Sequence, residues 1–331
     1  MNKYIFFRTD RIGDFLMSSI LFKSIKNSDN KSIITIIASK KNFEYIKNFE
    51  FVDEVILFPE NFFKKFLFYF KFFLKRYYLV GVLDGKKRSI YFSLIVRSKY
   101  KFLFTYKKFY YLILKFLYTK IFLDENCSSK FDEIKTLLNH LGHTFLENDL
   151  NTINKDKVSN YKFDISQLNK FVLIHFDEKW IFNDYISSYK SIEPLNQKAL
   201  LEFLEKIVLN TGMDLVVSTG FRQNQYIDFL KDKFSYLDEN IYIYNLQNKK
   251  IYLYDELSFS QLEKLILNCN TLITCHGAPS HVGAALNKKI IDIIDWSEND
   301  FFLKWTAHFR NHSLVYRDGF DNVQKKVISL L

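Results

Sequence analysis

The sequence predicts an α/β protein made of two successive domains of similar size, each a parallel sheet with crossover helices. Three observations carry this. Apolar runs rich in β-branched and aromatic residues alternate with segments of helical apolar spacing along most of the chain. The alternation starts twice, at YIFF (4–7) and again at KFVLIHF (170–176). The length of 331 residues also exceeds what one hydrophobic core usually supports.

In the first half, YIFF leads through RTDRIGD into a helix from Asp14 to Ile25. SIITIIAS is the second strand, a short helix falls near Asn42 to Lys47, and EVILFP is the third strand. YLVGVLD (78–84) is a further buried strand and ends in Asp-Gly-Lys-Lys-Arg. Two segments flank it, FPENFFKKFLFYFKFFLKRYY and YKFLFTYKKFYYLILKFLYTKIFLD. Both are rich in Phe and Tyr, broken every few residues by Lys or Arg, and almost free of acids. They read as basic amphipathic helices, too interrupted to span a bilayer. Either their aromatic faces pack on the sheet while the lysines are solvated, or they lie on anionic lipid with Lys65, Lys71, Lys75, Arg76, Lys107, Lys108 and Lys115 facing phosphates. Aromatic and basic surfaces also bind single-stranded nucleic acid. No RNA-binding signature accompanies this one, so no nucleic-acid partner is expected.

KFDEIKTLLNHLG is a helix stopped at Gly142, and the polar stretch NDLNTINKDKVSNYKFDISQLN is the expected linker. This places the domains at 1–165 and 166–331. The second series continues with the helix NQKALLEFLEKIVLNTG ended at Gly212, the strand DLVVSTG (214–220) and a helix from Gln225 to Lys233. The strand IYIYNL, the helix SFSQLEKLILNC, the strand TLITC (271–275), the segment HGAPSHVGAALN and the strand KIIDIID follow.

The composition is globular, with 48% hydrophobic and 25% charged residues, which excludes a disordered chain. The net charge of +10 calls for an acidic partner, although a Lys, Asn, Ile, Phe and Tyr bias with only 3 Pro also resembles a low-GC coding style. The 3 cysteines, Cys127, Cys269 and Cys275, are odd in number, and MNKYIFF is too short for the apolar core of an export signal. A reducing cytoplasm is therefore expected. Cys269 and Cys275 match no zinc spacing and read as core thiols.

Two turns carry chemistry. In TLITCHGAPSHVGAALN a strand ends at Cys275 and a helix begins near Pro279 or Ser280, with Gly277 and Ala278 between them. Small residues before a helix let a ligand approach backbone N–H groups, and such an N-terminus suits phosphate. The stretch lacks a full dinucleotide or Walker pattern. His281, in the first turn, either donates to a phosphate or satisfies the core. In FFRTDRIGDFLMSS, Asp14 either caps the first helix or, at the carboxyl edge of a parallel sheet, serves as a general base, with Arg8 and Arg11 holding an anionic acceptor.

FFRTDRIGDFLMSSILFKSIK resembles the N-terminal motif of the heptosyltransferase-like glycosyltransferases of family nine, in which a strand leads to an Arg-x-x-x-x-Gly-Asp turn and a helix. FVDEVILFP, YYLVGVLDGKKRS, LVVSTG, LSFSQLEKLI and CHGAPSHVGAAL keep that family's order, so the resemblance covers most of residues 1 to 295. It implies the GT-B fold, two Rossmann-like domains facing across a cleft, with acceptor in the N-terminal half and nucleotide sugar in the C-terminal half.

It further implies an inverting, metal-independent enzyme of lipopolysaccharide or surface-glycan synthesis, with no cofactor beyond the nucleotide-sugar substrate. Such an enzyme works in the cytoplasm, on the inner face of the membrane. Asp14 is then the base. Lys179, Gly220, His276, Gly277, Ala278, Pro279, Ser280 and His281 bind donor, and Arg8, Asp10, Arg11, Gly13, Lys87 and Arg88 bind acceptor. The chain departs from the family in three places. His276 stands where the family's Asp-x-Gly-x-x-His has Asp. Lys179-Trp180 is one residue short of the Lys-x-Trp spacing, with an insertion-like IFNDYISSYKSIEP behind it. FRQNQ lacks the acidic residue common after the LVVSTG strand. Two other readings stay open: a sugar-nucleotide epimerase of the same fold, and a membrane-surface or polyanion-binding module with a degenerate nucleotide site.

Overall fold

The computed structural model describes residues 1–126, 129–181, 192–220, 222 and 224–331. Cys127 and most of the insertion-like segment lie outside the described residues, as do two positions of FRQNQ. The chain divides into two compact units, Met1–Thr152 and Ile153–Leu331. Residues 153–165 fold with the second unit because a short helix there packs on a later one, and the Lys264 ammonium donates to the Tyr161 carbonyl at 2.7 Å.

The first unit runs β1 (Lys3–Arg8), α1 (Ile12–Ser28), β2 (Ile33–Ala38), α2 (Phe43–Ile46), β3 (Glu54–Leu57), α3 (Phe62–Phe73), β4 (Arg76–Val82), α4 (Lys87–Ile95), β5 (Arg97–Thr105), α5 (Lys108–Leu114), β6 (Lys120–Leu123) and α6 (Lys130–His140). Its strands form one parallel sheet in the order β3-β2-β1-β4-β5-β6. Buried on both faces, β1 and β2 are apolar nearly throughout, as a parallel strand must be. One face carries α1 against α6; the other packs Phe68, Tyr69 and Phe72 of α3, Ile90 and Phe92 of α4, and Tyr110 and Leu114 of α5 over Ile5, Phe7, Val80, Val82 and Leu103.

One sequence expectation is corrected here. The second aromatic and basic segment is not a single amphipathic helix but strand, helix and strand, with only α5 helical. From three residues before it, Arg97, Lys99 and Lys101 alternate with Tyr100, Phe102 and Phe104. That period of two suits β5, in which Phe102 is fully buried.

The second unit runs α7 (Lys155–Ser159), β7 (Phe171–Phe176), α8 (Gln197–Thr211), β8 (Asp214–Thr219), α9 (Gln225–Lys233), β9 (Ser235–Asp238), β10 (Ile241–Leu246), β11 (Lys249–Tyr254), α10 (Phe259–Asn268), β12 (Thr271–Cys275), α11 (Ala278–Ala285), β13 (Lys289–Ile294), α12 (Asn299–Thr306), β14 (His312–Tyr316) and α13 (Phe320–Leu330). The helix α7 is the one that packs on α10. The sheet order is β14-β13-β12-β7-β8-β11-β10-β9, parallel as far as β11, with β10 and β9 added antiparallel at the edge. Asn196 caps α8 by accepting the Ala199 N–H, and Gly212 ends it in the left-handed region at φ 62°.

Both sheets are doubly wound, and each reverses strand order beside its first strand. In the first unit the reversal falls between β1 and β4, in the second between β7 and β12. Loops leaving those carboxyl ends diverge to opposite faces, which opens a crevice at each sheet edge.

Candidate functional site

The crevice of the first unit is a cavity of about 730 Å³ where β1, β2, β3 and β4 end. Arg11, Lys40, Lys41, Lys86 and Arg88 line it with Asp10, Asp14, Glu60, Thr9 and Ser39, so bases outnumber acids five to three. Asp14 sits at the third position of α1, where its carboxylate accepts the Arg11 N–H at 3.1 Å. It therefore caps the helix and faces the cavity with the same group.

Beneath the cavity, Arg8 is buried and its guanidinium is fully engaged. It donates to Asp10 Oδ2 at 2.7 Å, to the Leu83 carbonyl at 2.9 Å and to Ser18 Oγ at 2.8 Å. Asp84, at the end of β4, accepts from Thr9 Oγ1 at 2.6 Å and Ser89 Oγ at 2.8 Å, tying the two diverging loops together. Lys86 donates to the Thr9 carbonyl at 2.7 Å and Arg88 to Thr9 Oγ1 at 2.9 Å. Burial pushes the Asp10 carboxyl up to about 6, against the pull of Arg8 and with added repulsion from Asp14 and Asp84. Its Oδ1 is buried without a hydrogen-bond partner. Gly13 is buried in α1, and Lys87 is exposed with its ammonium 5.6 Å from the Tyr91 ring centre; neither lines the cavity.

In the second unit the crevice lies where β7 and β12 end. Gly277 precedes α11 in extended backbone, with Pro279 in the first turn. The Lys179 ammonium reaches across from the loop after β7, 3.2 Å from the His276 carbonyl and 2.9 Å from Asp177 Oδ2. A side chain at Gly277 would run into that ammonium, and one at Gly220 would meet the Glu178 carboxylate. Arg317 holds the loop from behind, donating to the Lys179 carbonyl at 2.6 Å.

Behind the start of α11 lies a histidine cluster around Asp292. This fully buried carboxylate on β13 accepts from Ser280 Oγ at 2.8 Å and contacts His276 Nδ1 at 2.6 Å and His312 Nε2 at 3.3 Å. Burial alone would raise its pKa; the charge and hydrogen bond of His276 and the hydrogen bond of His312 outweigh that and hold it well below the ordinary carboxylate range.

His281 is buried, 5.4 Å between ring centres from His276 and 6.0 Å from His308, and its Nδ1 has no hydrogen-bond partner. Burial and the neighbouring His276 and His308 push it well below its ordinary range, so it is neutral at pH 7. Cys269 and Cys275 are buried free thiols raised by burial to about 12. Among the described residues no cluster of three or more His, Cys, Asp or Glu is arranged to hold a metal ion, and no helix is long and apolar enough to cross a membrane.

Sequence reasoning missed Thr9, Asp84 and Lys86 in the first unit and Asp177, Asp292, His308, His312 and Arg317 in the second. One signal was present: Asp292 interrupts KIIDII, and a carboxylate inside a buried strand requires partners.

No family model and no curated protein matches the sequence. Solved structures do match. The chain is similar to E. coli ADP-heptose lps heptosyltransferase II at 15% identity and TM-score 0.66, covering 100% of this chain and 98% of that one. Similarity to the family 9 glycosyl transferase from Veillonella parvula is 13% identity at TM-score 0.68, over 99% and 95% of the two chains. The UDP-GlcNAc 2-epimerase from Methanocaldococcus jannaschii matches at 14% identity and TM-score 0.56, over 100% and 91%. These matches span the whole chain, and the sheet orders are of the same doubly wound type in both units. The chain has the GT-B fold of two Rossmann-like domains that these transferases and the epimerase share.

Proposed function

We propose that this chain is a glycosyltransferase that moves a sugar from a nucleotide-activated donor to a hydroxyl of a bacterial glycan or glycolipid, with inversion and without a metal. The observation that carries the reading is the start of α11. There a glycine leaves the backbone open, the Lys179 ammonium stands over it, and the buried His281 imidazole keeps an unpartnered nitrogen. Gly277 N–H donates to Ser280 Oγ at 3.3 Å and the N–H groups of Ser280 and His281 to the Gly277 carbonyl, so the Ala278 N–H and the ammonium are the donors that suit a phosphate and give charge stabilisation to a departing nucleoside diphosphate.

Asp14 supplies the other half of the chemistry. It takes the proton of an acceptor hydroxyl as that oxygen attacks the anomeric carbon and the diphosphate leaves, a contribution of about 10²–10⁴-fold for a positioned base. The basic lining of its cavity suits an acceptor that carries phosphate or carboxylate. An ADP-activated heptose is the first donor to try, since one structurally similar protein is named for it.

The test is a panel of ADP-, UDP- and GDP-sugars incubated with the protein, with and without lipid-linked glycan acceptors. Acceptor-dependent release of one nucleoside diphosphate, with the sugar recovered on the acceptor, is the expected result. A donor converted to its epimer without acceptor assigns the chain to the epimerases of this fold. A donor that binds yet is neither transferred nor converted leaves a binding module.

A further inference from the structure

We infer that the outer surface of α3, α4 and α5 is a docking face for a bilayer rich in anionic lipid. These helices lie side by side on one face of the first sheet, and the rings they turn inward complete its core. What they turn outward is also apolar. On α3 and its end, Phe63 is 77% exposed, Phe66 63%, Leu67 66%, Phe70 60% and Leu74 64%. On α5 and its end, Phe109 is 64% exposed, Leu112 62% and Phe116 85%, and Tyr91 and Ile95 of α4 are exposed between them. Stray exposed apolar residues are ordinary, but a layer drawn from three adjacent helices exceeds what a soluble surface usually carries and marks an interaction site.

Charge selects the occupant. No Asp or Glu occurs from Asn61 to Leu83 or from Gly85 to Leu123. Exposed Lys64, Lys71 and Lys75 of the α3 segment and Lys107, Lys108 and Lys115 of the α5 segment border the rings. The Lys115 ammonium lies 5.0 Å from the Phe116 ring centre, and the Arg97 guanidinium lies 4.6 Å from that of Phe73. Rings that enter the headgroup boundary, with cations beside them at phosphate level, fit an anionic membrane surface. A second copy of the same face is a poor match, because it would bring lysine against lysine. None of the described helices can cross the bilayer, so the contact is peripheral.

Vesicle binding reads this surface without any sugar donor, so the transferase reading and this one fail separately. The full chain is sedimented with vesicles of phosphatidylcholine alone and of phosphatidylcholine with 30 mol% phosphatidylglycerol (about one lipid in three, a strongly anionic surface), at low and high salt. Binding is expected only to the anionic vesicles, weakening as salt rises. A Phe66→Ser/Phe116→Ser variant and a Lys71→Glu/Lys115→Glu variant should each lose at least about tenfold in vesicle affinity. All four side chains project from the surface, so far-ultraviolet circular dichroism and the melting temperature should stay at the parent values. Absence of binding, equal binding to neutral vesicles, or parent-like binding by both variants overturns the proposal. So does a parent dimer in light scattering that the Phe→Ser variant converts to monomer, which would assign the face to a second copy.

Discussion

His276 Nδ1 lies 2.6 Å from Asp292 Oδ2, which puts a buried carboxylate directly behind the first residue of the HGAPSH turn. Because Asp292 is held ionised, it needs donors, and His276, Ser280 and His312 surround it. The two faces of the turn are therefore braced from one strand. Asp292→Asn keeps the volume but removes the charge and offers an amide to groups that are already donors. Breaking a buried charged network from one side is expected to cost about 3 kcal/mol or more, measured by urea unfolding. A loss below about 1 kcal/mol would show that the carboxylate does not brace the turn.

The same cluster sets a pH dependence. Burial, with His312 and His276 nearby, pushes His308 down to about 3, and burial with His276 and His308 pushes His281 well below its ordinary range. In the unfolded chain both titrate near about 6.5. Between those values the unfolded state binds more protons than the folded one, so stability rises with pH across that window and is complete above it. Asp292, depressed from the other side, contributes in the same direction below about 4. Melting temperature should climb from pH 5 to pH 7.5, and His308→Phe should flatten the climb. A parent protein whose melting temperature is level across that interval would mean these imidazoles are solvated.

The packing of the first sheet gives a third test. Gly81 on β4 faces the buried Phe6 of β1, and a Cβ there would lie 2.5 Å from Cδ1 and 2.8 Å from Cε1 of the Phe6 ring. The ring is enclosed by Tyr4 and Phe22, with centre distances of 6.3 Å and 4.9 Å. It has little space to give. Gly81→Ala is expected to destabilise by about 1–3 kcal/mol through overpacking. An unchanged unfolding midpoint would show that the ring yields.

Much of this architecture is legible in the sequence because parallel strands announce themselves: YIFF, SIITIIAS, KFVLIHF and TLITC are apolar runs with no competing helical spacing. The reading failed where aromatics crowd both periods. In RSKYKFLFT the lysines alternate with period two, but the dense Phe and Tyr on either side mask it, so the segment reads as helix where the chain forms β5 and β6. The places of Asp14 and His281 in the fold were legible because each stands at the start of a helix after a strand. Their supports were not, since Asp84, Asp292 and Arg317 reach the same places only through sheet order, and strand adjacency cannot be read from spacing along one chain.

Gly277 tests the proposed phosphate site without removing a charged group. A methyl there would displace the Lys179 ammonium beside the Ala278 N–H, while its extended backbone suits any residue. Lys179 is a flexible chain, so it swings aside at small cost to the fold. Gly277→Ala should therefore keep the melting temperature within a degree or so while weakening nucleoside diphosphate binding by about tenfold, as loss of one charge-assisted contact implies. Parent-like affinity in calorimetry would remove this turn from the donor site.

Asp14 decides the mechanism. Its carboxylate accepts the Arg11 N–H at 3.1 Å, and an asparagine oxygen accepts that bond equally well, so Asp14→Asn preserves the start of α1. What it removes is the only proton acceptor at that position, in a cavity whose other acids differ: Asp10 is bound to Arg8, and Glu60 to Lys40 at 2.9 Å. If Asp14 is the base, turnover with the donor found in the sugar-nucleotide panel falls by at least about a hundredfold, while donor affinity and melting temperature stay at the parent values. If Asp14 only caps the helix, all three stay put. Transfer at close to the parent rate by the purified Asp14→Asn protein would take the proton-accepting step away from this residue, and Asp10, whose burial raises it to about 6, would be the next carboxylate to replace.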